Sequence, residues 1–358
     1  MELKDLGRVV EEGHSELLRE IFSKLNLDFN PEKTKFVGNH PISLTLDNIP
    51  LLLSNDYMVC EKTDGVRALM YIRVKDGKTS TYFYDRKNQL IEVDYGFEAS
   101  KSSLFDGEIF YDDETNLRYA LFDCILFEDT LVSDKNFLKR LFYCETFVKN
   151  LKKHEDEPTK RLKQNNDISK NKIDVYVKPT YKSYGFLEIY RQIKNLKHGN
   201  DGLVFTPVDE PYVFQKRVAI LKWKPPSINT VDLKIEKIPE KEGVYALKCS
   251  YTNTMDLLLD YYIPEDKDGD IVEGAIGEFK FDSTKYVLDY ENLCVKQGGW
   301  VLYKIRTDKD TPNHYRVVVN ILNSLDENLD IEELSRYFKP MRSNYKLREE
   351  QRKLQAQK

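Results

Sequence analysis

From Tyr57 to residue 127 apolar and polar positions alternate in short runs: YMVCEK, RALMYIRV, STYFYDR, LIEVDY, DGEIFYD and LRYALFDCILFED. A period of two is what a strand with one buried face requires, so this stretch predicts consecutive antiparallel strands. Residues 134–153 change to a helical period. A strand DVYVKP, a helix over 183–197, and strands DGLVFTP and AILKWKP follow. The opening segment MELKDLGRVVEEGHSELLREIF reads as one amphipathic helix, and FVGNHPIS at 36–43 as turn chemistry around Gly38 and Pro41. Between 154 and 172, HEDEPTKRLKQNNDISKNK has almost nothing apolar to bury, which predicts a flexible surface insertion.

Pro225 and Pro226 stop the last of these strands and mark a hinge. Beyond them TVDLKI, VYALKCSY, MDLLLDYYI, GAIGEFKFD, YVLDYENLCV and WVLYKIR read as six short strands, the pattern of a small barrel of the oligonucleotide-binding class. From Tyr315 the chain is helical and basic to its end. Its cations Arg336, Lys339, Arg342, Lys346, Arg348, Arg352 and Lys353 read as an ordinary solvated face. The expected fold is α+β: a first domain over 1–226, an OB-fold β-barrel over 227–316, and a helical segment over 317–358 that packs back on the first domain.

Length and composition narrow the class. A chain of 358 residues carries two cores more readily than one. No apolar run reaches the roughly 18 residues of a membrane span, and the N-terminus lacks the pattern of a signal peptide, so the protein is expected to stay inside the cell. Five cysteines without a C-x-x-C pair indicate neither a zinc site nor a disulfide framework, but reduced, mostly buried thiols. A net charge of −5 argues against coating nucleic acid through a broad basic field; an RNA substrate would be gripped by a short end.

The sharpest chemical signal is Glu61-Lys62-Thr63-Asp64-Gly65-Val66-Arg67, between two strand patterns. A lysine that attacks phosphorus must be partly deprotonated, which calls for burial or neighbouring cations; Arg67 supplies one and Asp64 opposes it. The plain alternative is a surface lysine in a charged turn. Asp106-Gly107-Glu108 enters a strand from a turn and can aim Glu108 at a sugar hydroxyl, or be a hairpin. Asp201-Gly202-Leu203-Val204-Phe205 repeats the device and offers a carboxylate for a divalent metal. In Leu221-Lys222-Trp223-Lys224-Pro225, strand alternation puts two cations on one face, suited to adjacent phosphates, and the tryptophan on the other. Arg306-Thr307-Asp308-Lys309 with Pro312-Asn313 ends the expected barrel; it is either an exposed turn or a pair of cations for the β and γ phosphates.

These five blocks, in this order, resemble the signature of the covalent nucleotidyltransferase superfamily, which includes capping guanylyltransferases, DNA ligases and RNA ligases. Within it the resemblance is to the monofunctional mRNA capping guanylyltransferases and covers residues 36–325. Glu61-Lys62-Thr63-Asp64-Gly65 is similar to their first motif, Leu221-Lys222-Trp223-Lys224-Pro225 to their fifth, and Arg306 to Asn313 to their sixth.

The resemblance implies Lys62 as the nucleophile that holds GMP as a phosphoramidate, with Glu61 and Arg67 beside the nucleotide. Arg86, in Asp85-Arg86-Lys87-Asn88, and Glu108 would contact the ribose. Phe122, in Arg118-Tyr119-Ala120-Leu121-Phe122-Asp123-Cys124, would stack on guanine, and Lys178 would donate to its O6. Asp201 would act near Mg2+ (or Mn2+), and Lys222, Lys224, Arg306, Asp308 and Lys309 would handle the phosphates of GTP. A clamp of two domains is implied, with 5′-diphosphate RNA as acceptor. Residues 1–35 precede the shared motifs and hold no H-C-x5-R phosphatase signature, as in the fungal and protozoan arrangement. A separate RNA 5′-triphosphatase and the RNA polymerase II C-terminal domain are the implied partners, the nucleus is the implied location, and no membrane is involved. The rival readings are an ATP-dependent polynucleotide ligase and a catalytically inactive capping-complex binding module.

Overall fold

The computed structural model describes residues 2–113, 115–155, 173–239, 241–252, 254–265, 268–269, 271–290, 292–307 and 309–356. The insertion expected over 154–172 lies, from 156 onward, outside the described residues. The chain divides into two compact units, Met1–Trp223 with Tyr337–Lys358, and Lys224–Arg336. Its helices are α1 (His14–Lys24), α2 (Ile49–Ser54), α3 (Phe137–Glu155), α4 (Phe186–Ile193), α5 (Tyr315–Glu327), α6 (Ile331–Ser335) and α7 (Phe338–Ala356).

The first unit holds two sheets. One contains β1 (Arg8–Val9), β4 (Val66–Lys75), β5 (Lys78–Tyr84), β6 (Leu90–Val93), β7 (Ser103–Asp112), β8 (Asn116–Phe127) and β10 (Asp174–Val177), in the order β1-β6-β5-β4-β7-β8-β10, with β9 (Thr130–Leu131) on β8. The other contains β2 (His40–Ser43), β3 (Tyr57–Thr63), β11 (Tyr181–Lys182), β12 (Asn200–Pro207) and β13 (Arg217–Trp223), in the order β11-β3-β12-β13-β2. Pairing is antiparallel except for β10 on β8 and β2 on β13. The larger sheet buries one face with Cys144 and Val148 of α3, through Phe105 and Cys124. Its other face buries Leu69 and Tyr71 with Leu17, Ile21 and Phe22 of α1.

The N-terminal helix is shorter than expected. Gly7 and Gly13 interrupt the apolar period, a 3-10 turn spans Leu3–Asp5, Arg8 and Val9 pair with Glu92 and Ile91 as an edge strand, and α-helix begins only at His14. The basic tail differs only in the exposure of its cations, since from Tyr337 it is part of the first unit. Met341 and Tyr345 of α7 are buried, and Phe338 meets Phe186 edge-on at 6.4 Å. Arg348 Nε donates to Asp56 Oδ1 at 2.7 Å, its NH1 to the Leu53 carbonyl at 2.8 Å and its NH2 to that of Asn55 at 3.0 Å. Arg352 pairs with the same carboxylate. Two of the expected solvated cations therefore neutralise a buried Asp56 and cap the carbonyl end of α2, where positive charge is favoured. Deleting everything after 226 would strip α7 from the first unit.

In the second unit β14 (Thr230–Lys237), β15 (Tyr245–Thr252), β16 (Met255–Tyr262), β17 (Ile276–Asp289) and β18 (Cys294–Ile305) form an antiparallel sheet in the order β16-β15-β14-β17-β18. Leu233, Leu247, Phe279 and Trp300 fill its core with Val318 of α5, so α5 belongs here and not, as expected, with the first domain. The six expected strands are five. The residues left between the last three expected strands are no turns but part of one long hairpin, with an irregularity between the Asp282 and Tyr286 pairings. Among the described residues no pairing joins β16 to β18, so the sheet is open where a closed barrel was expected. No described helix is long and apolar enough to cross a membrane. Cys60, Cys124, Cys144 and Cys249 are buried and Cys294 is exposed.

Arg348→Ala leaves Asp56, whose side chain is 1% exposed, with only the more exposed Arg352. It is expected to lower the unfolding free energy by roughly 2–4 kcal/mol. The midpoint of urea unfolding measures this, and an unchanged midpoint would refute the capping role.

Candidate active site

Lys62 lies one residue from the end of β3, and its Nζ stands 2.6 Å from Asp201 Oδ1, with both side chains partly open to solvent. The β3–β12 register shifts between Asn200 and Leu203, so Asp201 and Gly202 together face the single Lys62. Gly202 takes φ 139°, a conformation that favours glycine and lets the bulge turn Asp201 toward the lysine. Gly65 is needed for another reason. A Cβ there would meet the Ile109 carbonyl at 2.5 Å, so only glycine lets the chain after Lys62 run against β7.

The neighbours of Lys62 on β3 point into a second polar cluster. Thr63 Oγ1 donates to Glu61 Oε1 at 2.5 Å, and Lys178 Nζ reaches Thr63 Oγ1 at 2.6 Å and Glu61 Oε1 at 3.1 Å. Asn200 Nδ2 donates to Glu61 Oε2 at 2.6 Å. Lys178, 5% exposed, is therefore held by a carboxylate and a hydroxyl, and Glu61 is turned to it. Reading the two residues as direct nucleotide contacts missed this mutual pairing, which a sequence separation of over a hundred residues conceals.

Arg67, expected beside the nucleotide, is likewise held by partners within the fold. Its Nε and NH2 donate to Asp106 at 3.0 and 2.6 Å, its NH1 to the Asn39 carbonyl at 2.8 Å and its NH2 to Asn39 Oδ1 at 2.9 Å. Tyr212 donates its hydroxyl to Asp106 Oδ2 at 2.5 Å. Desolvation disfavours the Arg67 charge, but Asp106, which is fully buried, outweighs it and holds the group above the usual arginine range. The reason is burial: a cation with this little water takes a carboxylate within the fold. Sequence reading missed Asp106, Asn39 and Tyr212 as partners, although the Asp106-Gly107-Glu108 block contained one of them.

Glu108 pairs across the sheet with Arg67 and lies within electrostatic reach of Lys62 and Lys178. Its carboxylate has no hydrogen-bond or ion-pair partner among the described residues. Desolvation pushes its pKa up, against the pull of those three cations. Phe122 is the extra residue of a β8 bulge, since Asp106 pairs with Asp123 and Gly107 with Leu121. Its ring lies 5.6 Å from the Arg67 guanidinium carbon, and that of Phe36 lies 5.8 Å from it on β2's side. Arg86 is exposed on the turn after β5, within electrostatic reach of Arg67, Asp106 and Glu108. Lys222 is half-buried beside a fully buried Trp223, as alternation requires, and Lys224 is the first residue of the second unit.

In the second unit Arg306 NH1 donates to Asp232 Oδ1 at 3.0 Å, and Lys309 pairs with Asp232 Oδ2. Asn313 completes the cluster by accepting the Asp232 amide proton at 2.9 Å. Asp232, on β14, was not read from sequence as part of this site. Asp308 lies outside the described residues. Among the described residues no three carboxylates, histidines or cysteines gather to hold a metal.

Two family models match the chain: the catalytic domain of mRNA capping enzyme over residues 7–226 and its C-terminal domain over 228–335. The mRNA-capping enzyme subunit alpha of Schizosaccharomyces pombe is 28% identical over 343 residues, covering 87% of this chain and 81% of that one. The subunit alpha of Saccharomyces cerevisiae is 28% identical, covering 85% and 79%. The mRNA-capping enzyme of Caenorhabditis elegans is 30% identical over 82% of this chain, but this covers only 47% of that protein. Among solved structures, a mycobacterial DNA ligase D complexed with ATP and MES aligns with 78% of this chain and 97% of that one at 12% identity and a TM-score of 0.41, a likeness too weak to argue from.

Asp106→Ala strands Arg67, 8% exposed, without its carboxylate. The expected loss is roughly 3–5 kcal/mol of stability in a urea titration. Glu108 gives a pH signature. Because its folded pKa lies above the ordinary 4.5, its contribution to stability is complete below 4.5 and is lost as pH rises through the raised folded value. Glu108→Gln should therefore unfold at higher urea than the parent at neutral pH, and the two should converge below 4.5. A gap independent of pH would contradict the assigned shift.

Proposed function

The chain belongs to the mRNA capping enzyme family and is an mRNA guanylyltransferase, and we propose that Lys62 is the residue that carries GMP. In the first step Lys62 Nζ, having lost a proton, attacks the α-phosphorus of GTP; the N–P bond forms and the P–O bond to pyrophosphate breaks. In the second, a β-phosphate oxygen of a 5′-diphosphate RNA attacks the same phosphorus, the N–P bond breaks and the nitrogen regains its proton. The observation that carries this reading is a partly open lysine at a strand end, held by Asp201 and bordered by Glu108, an acceptor without a partner.

The surrounding residues fit these roles. Phe122 offers an aromatic surface for the base, and the unpartnered Glu108 suits a ribose hydroxyl, with Arg86 beside it. Lys178 reaches guanine O6 only by sharing its ammonium with Glu61 and Thr63. Arg67 acts by positioning, through Asp106 and Phe122. Lys222, Lys224, Arg306, Asp308 and Lys309 are assigned to the phosphates. Asp201 fits a Mg2+ or Mn2+ ion, since magnesium is commonly bound by one or two carboxylates and substrate phosphates; the ion would neutralise phosphate charge.

The name subunit alpha borne by the fungal relatives speaks of a second subunit. A separate RNA 5′-triphosphatase supplying the diphosphate end is the partner proposed, with docking on the RNA polymerase II C-terminal domain and action in the nucleus. The open five-stranded sheet is assigned to the OB-fold class on its β14-β15-β16 meander extended by β17 and β18 on the other side, and on its capping C-terminal domain match.

Incubation with labelled GTP and magnesium is expected to give an acid-labile protein adduct, abolished in Lys62→Ala, while labelled ATP gives none. An adduct from ATP alone would favour the ligase, and an undiminished adduct in Lys62→Ala would remove Lys62 from the mechanism.

A further inference from the structure

Three segments around the mouth of the first unit's site carry cations that no role above uses. They are the stretch 33–40, the turn Asp85–Gln89, and the pair Gln215-Lys216. Hydrogen bonds stitch them into one rim. Asn88 Nδ2 donates to the Thr34 carbonyl at 3.1 Å, Gln215 Nε2 to that of Lys35 at 3.1 Å, and the His40 amide to that of Lys216 at 2.8 Å. Phe36, in the first segment, packs edge-on against Tyr84 and under the Arg67 guanidinium, which anchors the rim to the site.

Lys33, Lys35, Lys87 and Lys216 are exposed, and none has an ion-pair partner among the described residues. Of the acidic groups nearby, Asp85 turns its Oδ1 to the amides of Lys87 and Gln89. Glu2, within electrostatic reach of Lys87, is already paired with Lys4. Glu32, next to Lys33 in the chain, is exposed. A chain of net charge −5 thus exposes a local cluster of unpaired ammonium groups, continuous through Arg86 with the ribose side of the site.

We propose that this rim is the track for the acceptor RNA, on which the phosphates of a single strand lie once its diphosphate end has entered the site. The proposal rests on the guanylyltransferase reading. The occupant follows from charge and from continuity: lysines are mobile point charges suited to a flexible polyanion, and the track leads to where an RNA end must go. The nearby aromatic rings of Phe36 and Tyr84 are buried, so the rim reads backbone and not base, and contact with it is indifferent to sequence.

The test is the full chain carrying Lys35→Glu, Lys87→Glu and Lys216→Glu together, with adduct formation from GTP as the fold control. Adduct formation and GMP transfer to a diphosphate-ended dinucleotide should match the parent. For a long diphosphate-ended RNA, KM should rise roughly tenfold or more, and the slope of log affinity against log salt should become shallower by about 2, as expected for three lost contacts to a single strand. An unchanged KM and salt slope would overturn the track, as would an equal loss on the dinucleotide. So would a phosphopeptide that binds the rim while long RNA does not. If the unmutated chain forms no adduct, the guanylyltransferase reading falls, and retention of the long strand on a filter still decides the rim.

Discussion

Arg67 and Asp106 face each other with almost no water, and the first unit is organised around them. Both come from the eight-stranded sheet, while Asn39 and Tyr212, which complete their hydrogen bonds, lie beside β2 and between β12 and β13 of the other sheet. Two ions buried in this way cost several kcal/mol each to desolvate, and their attraction offsets that only when the remaining donors are met. Asn39 supplies both its carbonyl and its side-chain oxygen for that reason. The same bonds tie the sheets together, and so fix Lys62 and Asp201 on one against Glu108 and Phe122 on the other.

The device recurs wherever a cation from afar was needed. Asp123 holds Arg140 through bonds of 2.7 and 3.1 Å, Glu61 holds Lys178, Asp56 holds Arg348, and Asp232 holds Arg306 with Lys309. At Asp123 and Asp56 the pairing is structural, since neither approaches Lys62. At Asp232 it bears on chemistry. Arg306 and Lys309 are already ordered around Asp232, and Arg306 also lies 3.7 Å from Glu278 Oε2, so a ligand must offer them more negative charge than these carboxylates do. A triphosphate meets this condition, whereas a singly charged anion does not. On the proposed reading, Asp232 makes the site selective for a highly charged nucleotide before any contact with the base.

What could be read from sequence was what depends on local period. The strands from β3 to β8 were legible because each alternates over several residues, and Lys222 and Trp223 followed from such alternation, whereas Lys62 stood out by the motif around it. The rest depends on partners far along the chain. Phe122 shares a strand with Leu121 and Asp123, and nothing in the sequence says that a bulge sets it apart. Arg67 looked available because Asp106 lies nearly forty positions away and Asn39 precedes it by almost thirty. The same blindness made Arg348 look solvated, when its carboxylate sits almost three hundred residues earlier. The gaps left between the last three expected strands erred in the opposite direction, since their residues belong to one continuous hairpin with an irregularity inside it.

Net charge is a sum, and a sum conceals arrangement. The chain sets 60 acidic residues in opposition to its 55 basic ones. The pairs at Asp56, Asp106, Asp123 and Asp232 show that much of this opposition occurs inside the fold, where it removes cations from the surface count. The cations that remain unmatched therefore matter more than their number suggests. A field from a few ammonium groups reaches about 10 Å at ordinary salt, too short to draw nucleic acid from a distance against a negative whole. It is long enough to hold a strand whose end is already engaged. An enzyme that must grip the start of any transcript, and release it once the cap is made, gains from a weak grip near the site, where a strong one would slow departure.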